Sequence, residues 1–254
     1  MADLRSLVIK EFSSPSAQRR FREMADQGLW DSEMHFVEKY FTNSRARVLD
    51  LGCGTGRTTI PLVQRNFDVI GVDLTPAMIE TAVEIAAEKD LTIKYEVGDA
   101  TRLHYPDGFF DYVLFSNQGW TQIPGRKNRL AALGEIRRVL KSGGIFIFTT
   151  HQRAGVRRWT PFWIKQAFRF YVLKRLGFAI PEMDFGDRFF NRDSTDDRRT
   201  YANRQYIHIP TLHEVKSVLE KAGFALLEVN GSMQISRDDV RKYPPVFFVC
   251  EKSA

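Results

Sequence analysis

The sequence predicts an α/β fold with a parallel sheet covered by helices on both faces. Three observations predict it. Short apolar runs alternate with helix-length segments from residue 46 to residue 150. A glycine-rich turn follows the first run. Acidic residues, Asp50, Asp73 and Asp99, stand at the ends of three runs. Strands and helices that alternate at this spacing call for parallel strands buried on both sides.

Residues 1–45 read as an N-terminal helical segment. It breaks at Ser13–Pro15, is polar from Ala17, and restarts with Asp31 as the expected cap. Met34, Val37, Tyr40 and Phe41 then recur at helical spacing. Arg47–Leu51 is the first strand, followed by the glycine turn and a helix over Thr58–Gln64. Asp68–Val72 is the second strand. Thr75-Pro76 starts a helix toward Lys89, with proline at the first helical position. Ile93–Val97, Tyr112–Ser116 and Ile145–Thr150 are further strands. A helix over Arg126–Leu140 closes at Ser142-Gly143-Gly144. Near the end come a helix over Leu212–Ala222 and strands Leu226–Asn230 and Val246–Cys250. No crossover helix separates those two strands, so they are expected to pair antiparallel.

The alternation stops at His151. Residues 151–210 read as an insertion at the carboxyl end of the fifth strand, and ligands bind at that edge of open α/β sheets. The expected organisation is thus 1–45 as a helical segment, 46–150 and 211–254 as the core, and 151–210 as the insertion.

Composition narrows the class. The 254 residues are 43% hydrophobic and 27% charged, which is globular and excludes a disordered or collagen-like chain. No run of 18 apolar residues suggests a transmembrane helix. The apolar run Leu7–Ile9 is too short for a signal peptide, so a cytoplasmic location is expected. Cys53 and Cys250 are too few for a disulfide framework or a zinc site built on several thiolates. The net charge of +6 allows an anionic partner without demanding one.

The strongest local signal is Asp50-Leu51-Gly52-Cys53-Gly54-Thr55-Gly56. A glycine-rich turn between strand and helix serves NAD, FAD, a phosphate or simply a tight turn. Here the spacing is G-x-G-x-G rather than the dinucleotide G-x-G-x-x-G. Asp50 would repel a pyrophosphate and attract an ammonium. Asp73 ends the next strand, where a carboxylate can bind both ribose hydroxyls. Asp99 follows the third strand, where a carboxylate can accept from an adenine amino group.

These segments resemble the class I S-adenosylmethionine-dependent methyltransferases. Asp50–Gly56 resembles their first motif, and Val69–Met78, which contains Asp73, resembles the second. Gly98-Asp99-Ala100, Phe110–Leu114 and Arg138–Gly144 resemble the third, the fourth and the run before the fifth strand. The resemblance implies a Rossmann-like seven-stranded sheet of order 3-2-1-4-5-7-6 with strand 7 antiparallel. It implies S-adenosylmethionine as cofactor and S-adenosylhomocysteine as product. Carried over by position, Gly52, Gly54 and Gly56 shape the loop under the methionine part, with Asp50 near its amino group. Asp73, with Leu74 and Met78 of the same motif, belongs to the ribose side. Asp99 and Ala100 belong to the adenine, and Ser116 and Asn117 line the sulfonium side.

An oxygen or nitrogen nucleophile also needs a proton removed. His151 directly follows the fifth strand and is the candidate base, with a histidine bonded to loop backbone as the alternative. His208 reads as structural, and no histidine–carboxylate spacing suggests a metal. Asn117-Gln118-Gly119-Trp120 suits a flat or hydroxylated acceptor, or is a turn with a half-buried Trp. Gly28-Leu29-Trp30 precedes a helix that often closes over the cofactor in this family; a core Trp is the alternative. Residues 151–180 hold seven basic residues, seven aromatics and no acid. There Arg157, Arg158, Lys165, Arg169, Lys174 and Arg175 interleave with Trp159, Phe162, Trp163, Phe168, Phe170 and Tyr171. This stretch fits a lid that chooses the acceptor, a peripheral membrane helix, an RNA patch, or a lid packed on the core. The leading expectation is methyl transfer to a small-molecule acceptor. The alternatives are a tRNA methyltransferase and a non-catalytic cofactor-binding protein.

Overall fold

The computed structural model describes residues 4–153, 160–196 and 199–253. Three helices come first: α1 (Leu4–Phe12), α2 (Pro15–Ala25) and α3 (Asp31–Tyr40). Then follow β1 (Arg47–Leu51), α4 (Thr59–Gln64), β2 (Asp68–Asp73), α5 (Pro76–Glu88), β3 (Lys94–Val97), β4 (Phe110–Phe115), α6 (Arg126–Val139) and β5 (Leu140–Thr150). The inserted segment forms α7 (Thr160–Phe168), a π-helical turn Arg169–Leu173, and a hairpin of β6 (Asp187–Asp196) and β7 (Arg199–His208). The chain closes with α8 (Leu212–Lys221), β8 (Phe224–Asn230) and β9 (Val246–Lys252). Arg157, Arg158 and Trp159 lie outside the described residues.

The main sheet has the order β3-β2-β1-β4-β5-β9-β8. β9 runs antiparallel to both β5 and β8. This is the expected seven-strand order, with the inserted hairpin accounting for the two extra strand numbers. The hairpin itself was not anticipated. Asp31 is also not the cap of α3. Trp30 holds that place in extended backbone, and Asp31 is the first helical residue. The Glu33 side chain reaches back to accept from the Trp30 N–H at 2.8 Å.

Successive side chains along a strand point to opposite faces, and here they feed two separate cores. Leu49, Val113, Phe146, Phe148 and Phe248 pack with Leu133 and Ile136 of α6 and Val215 and Leu219 of α8. Their neighbours Val48, Leu114, Ile147 and Phe247 pack with Phe36 and Val37 of α3 and Leu62 of α4. Aromatic rings stiffen both layers: Phe148 stacks on Phe248 at 5.1 Å and Phe36 on Phe247 at 4.7 Å.

Two buried carboxylates fix the parts that border the ligand edge. Asp50 is 1% exposed and accepts from the hydroxyls of Thr58 and Thr59, each at 2.6 Å. It thereby ties β1 to the start of α4 beneath the glycine turn. Asp187, fully buried at the base of the hairpin, accepts from the N–H groups of Met183 and Asp184, from Tyr206 Oη and from His208 Nδ1, all at 2.8–2.9 Å. His208 Nε2 meets Glu214 of α8 at 2.9 Å. The hairpin is thus keyed to the core through this polar network, with Tyr206 and Ile207 buried beside it.

Removing one partner of such a network leaves the others buried and unsatisfied. Asp187→Ala should therefore lower stability by about 3–5 kcal/mol in urea unfolding. A loss of under about 1 kcal/mol would show that the hairpin is held by other contacts. Burial pushes the Asp50 pKa up to about 6, against the pull of the two threonine hydroxyls. A carboxylate with a raised folded-state pKa favours the folded state at low pH, and that advantage fades as pH rises from the unfolded to the folded pKa. Relative to Asp50→Asn, the wild-type chain should lose up to about 3 kcal/mol of stability between about pH 4 and pH 7. A difference between the two proteins that stays constant over that range would contradict the assignment.

Candidate functional site

A cavity of about 220 Å³ opens at the carboxyl edge of β1, β2 and β4. Gly52 and Gly54 form part of one wall, with the Asp73–Thr75 turn beside them. Gly98–Thr101 and Phe115–Asn117 continue it. Arg5, Val8 and Phe12 of α1 and Phe21 of α2 line the same space from the N-terminal helices.

The glycine turn is held by β2. Gly52 N–H and Cys53 N–H both donate to the Val72 carbonyl, at 2.7 and 3.1 Å. Gly54 takes φ +55°, and a Cβ there would meet no protein atom within 4 Å, so any side chain would enter the cavity. Gly56 plays a different part. A Cβ at this position would sit 2.4 Å from the Tyr95 hydroxyl, so the glycine lets α4 close on β3. It does not line the cavity, and neither does Asp50, whose carboxylate is turned to Thr58 and Thr59. Cys53 is buried, and burial with the nearby carboxylates pushes its thiol pKa well up, which leaves it unreactive.

Asp73 lines the cavity at the end of β2. Its Oδ2 accepts from Gly54 N–H at 3.0 Å and its Oδ1 from Thr75 N–H at 2.8 Å. Burial raises its pKa, opposed by those backbone donors. An ionised carboxylate offers about four acceptor positions, so two stay available to a diol. Asp99 accepts from Thr101 N–H and Oγ1 through Oδ1, each at 2.8 Å, and pairs with Arg5 through Oδ2 at 2.9 Å. Leu74, Met78 and Ala100 line the space beside these acids. The result is a largely apolar trough, with Met78 and Ala100 in its lining and a hydrogen-bond-accepting acid at each end.

Ser116 and Asn117 line the far side, after β4. Asn117 and Gln118 take φ of +46° and +59°, a left-handed pair that non-glycine residues seldom adopt. Trp120 does not face the cavity. It is buried in the core and donates its indole N–H to the Arg129 carbonyl at 3.2 Å.

Two residues that sequence reading missed hold the walls together. Arg57 donates to Glu33 through both guanidinium ends, at 2.6 and 2.7 Å, with the pair almost wholly buried. The Ser116 hydroxyl also donates to Glu33, and the Arg57 guanidinium lies 4.1 Å from the centroid of the Trp30 ring. A signal was present. An arginine at the start of a helix opposes the helix dipole and calls for an acid nearby.

His151 is placed elsewhere. It lines a second cavity, of about 340 Å³, which shares no lining residue with the first. Burial, then the charges of Arg241 and Arg188, hold its pKa below the ordinary histidine value, so at neutral pH its imidazole is an acceptor of protons. Around it stand Arg153, Arg188 and Lys242 with Phe162, Trp163 and Tyr243, and among the described residues no acid lines the space. His208 is part of the hairpin network instead. Among the described residues, Asp184, Asp187 and His208 bring ligand atoms within 4.8 Å of one another, a grouping that linear spacing did not reveal. Those atoms are already taken up by Arg129, Tyr206, Glu214 and backbone donors, which is the pattern of a structural network.

Comparison with known proteins agrees with this geometry. Residues 48–144 match the family model described as methyltransferase domain. The demethylmenaquinone methyltransferase of Staphylococcus saprophyticus is 31% identical over 191 residues, 73% of each chain. The phosphoethanolamine N-methyltransferase 1 of Arabidopsis thaliana is 32% identical, but that match spans 49% of this chain and only 25% of the relative. Among solved structures, an S-adenosylmethionine-dependent methyltransferase of Methanosarcina mazei superposes with a TM-score of 0.66 at 20% identity, covering 89% of this chain and 99% of that one. The glycine turn, the acids at the ends of β2 and β3 and the antiparallel β9 therefore have one source: the chain belongs to the class I S-adenosylmethionine-dependent methyltransferase family.

Proposed function

We propose that the enzyme methylates an oxygen or nitrogen of a small-molecule acceptor seated in the second cavity, with His151 taking the acceptor's proton. One observation carries this reading. A half-buried imidazole, its pKa held below the ordinary histidine value, lines a cavity at the carboxyl end of β5, the strand next to β4, whose end borders the first cavity. S-adenosylmethionine supplies, when bound, a methyl group activated on a sulfonium. Asp73 would hold its ribose, Asp99 its adenine amino group, and the Gly52–Gly54 backbone its methionine part. The protein's remaining tasks are to orient the nucleophile and keep water out.

The residues between the two cavities support the reading. Gln118 follows Asn117 of the first cavity, and Thr150 precedes His151 of the second. Gln118 Nε2 and Thr150 Oγ1 are buried without a hydrogen-bond partner among the described residues. Neither residue lines a cavity itself; both belong to the backbone that joins the two. The second cavity's cations and aromatic rings suit a flat apolar acceptor that carries an anionic group. The acceptors named for two relatives, demethylmenaquinone and phosphoethanolamine, show one property each: a quinone ring in the first and a phosphate in the second. Phe162, Trp163 and Arg188 belong to the inserted segment, so the insertion sets acceptor choice in this reading.

Labelled-methyl transfer to a panel of hydroxylated and aminated aromatic acids tests it. His151→Ala should lower turnover by about 10²-fold or more and leave cofactor affinity unchanged. Unaltered turnover would assign His151 to structure alone. Label that enters tRNA and none of the small acceptors would end the small-molecule reading. Asp73→Ala should weaken cofactor binding in calorimetry by about 1.5–3 kcal/mol for each hydrogen bond lost. Wild-type affinity in that variant would move the ribose site elsewhere.

A further inference from the structure

The inserted helix carries a surface that the cofactor and acceptor sites do not use. Ile164, Phe168, Val172 and Leu176 follow one another at intervals of four and are 64%, 54%, 40% and 68% exposed. The interval of four sets them along one side of α7 and the turns after it. Tyr171 and Phe178 are exposed beside them. The π-helical turn Arg169–Leu173 buries no residue at all. Exposed apolar runs of this length on a single element mark an interaction site.

The segment is nevertheless firmly seated from its other side. Gln166 is buried and donates to the Asp187 carbonyl. Trp163 and Phe170 meet the Phe185 ring at 6.2 and 6.3 Å. The apolar stripe is thus presented outward by a helix anchored to the Asp187 network.

The charges nearby identify the partner. Lys165 and Arg175 are exposed on the same segment. Arg169 pairs with Glu182 at 3.3 Å, and Lys174 donates to the Glu182 carbonyl at 3.0 Å. From 151 to 180 the sequence has no acid. A second copy of the chain meeting this surface across a two-fold axis would bring like charges together. An apolar stripe flanked by basic side chains matches the boundary between anionic headgroups and acyl chains. We propose that α7 and the turns after it dock the protein on an anionic phospholipid surface, with Ile164, Phe168, Val172 and Leu176 entering the acyl boundary and Lys165 and Arg175 meeting the headgroups. No helix among the described residues is long and apolar enough to cross a membrane, so the contact lies at the interface. This docking does not depend on which acceptor is methylated.

Vesicle flotation of the full chain tests the proposal. The protein should float with phosphatidylcholine vesicles containing about one-third phosphatidylglycerol, at least about tenfold more than with phosphatidylcholine alone, and less as salt is raised. Phe168→Ser combined with Leu176→Ser should reduce flotation by about tenfold or more. Lys165→Gln combined with Arg175→Gln should abolish the preference for anionic lipid. All four positions are exposed, and unchanged cofactor affinity in calorimetry would show that both variants are folded. Absence of flotation by the wild-type chain, or equal flotation of the folded serine variant, would overturn the proposal. So would wild-type self-association without lipid that the serine variant loses, which would make a second copy the occupant. Binding of tRNA that the glutamine variant loses, with no flotation, would reassign the surface to nucleic acid.

Discussion

The fork between Arg57 and Glu33 joins the two sides of the first cavity. Arg57 stands directly after the glycine turn, and Glu33 lies in the first turn of α3. Glu33 receives both guanidinium ends, the Trp30 N–H and the Ser116 hydroxyl, while Arg57 also donates to the Gly28 carbonyl at 2.8 Å. A buried ion pair adds little net stability over apolar residues of the same shape, but neither charge tolerates loss of the other. Its value here is positional. It sets α3 against the start of α4 and the end of β4, and the chain leading back to α2 and α1 follows. Arg5 of α1 is held at the cavity by its own pair with Asp99, and α2 by Thr55 Oγ1 on the Phe21 carbonyl.

A second constraint comes from strand alternation at the ligand edge. The cores on the two faces of the sheet take alternate residues of β4 and β5, so the last residues of neighbouring strands need not face one space. Ser116 and Asn117 border the first cavity, while His151 borders the second. The link across is the Gln118 N–H, which donates to Thr149 Oγ1 at 2.9 Å. The left-handed backbone at Asn117 and Gln118 gives that link its shape.

The sheet was legible because its signal is local and repeated. Val48-Leu49, Val69-Ile70 and Phe146-Ile147 are apolar on both faces, as a doubly covered strand must be, and a glycine turn follows the first of these runs. Asp73 and Asp99 were legible from their place after a strand, and both line the first cavity. The inserted hairpin was not legible. Its strands carry many charges and little alternation, and its seat depends on His208 meeting Asp187 across a sequence separation of 21 residues on one side and Glu214 on the other. Nor did the sequence tell which way Asp50 turns. A carboxylate after an apolar run reads as a ligand contact, whereas Asp50 Oδ2 is taken up by the hydroxyls of Thr58 and Thr59. Glu33 and Arg57 were hidden for the same reason, since a pair 24 residues apart leaves no periodic trace.

The reversal of β9 has a practical side. Val246 pairs with Thr150 at the ligand edge, and Glu251 pairs with Ile145 near the opposite edge. The strand therefore carries the chain away from both cavities, and Lys252 ends against the Leu140 carbonyl at 2.7 Å. At the other end, Arg5 and Val8 line the first cavity themselves. Handles for immobilisation, fluorescent labels or fusion partners are thus not equivalent at the two ends. One joined after Lys252 emerges on the side remote from both cavities, whereas one joined before Leu4 emerges beside the helix that lines the first of them.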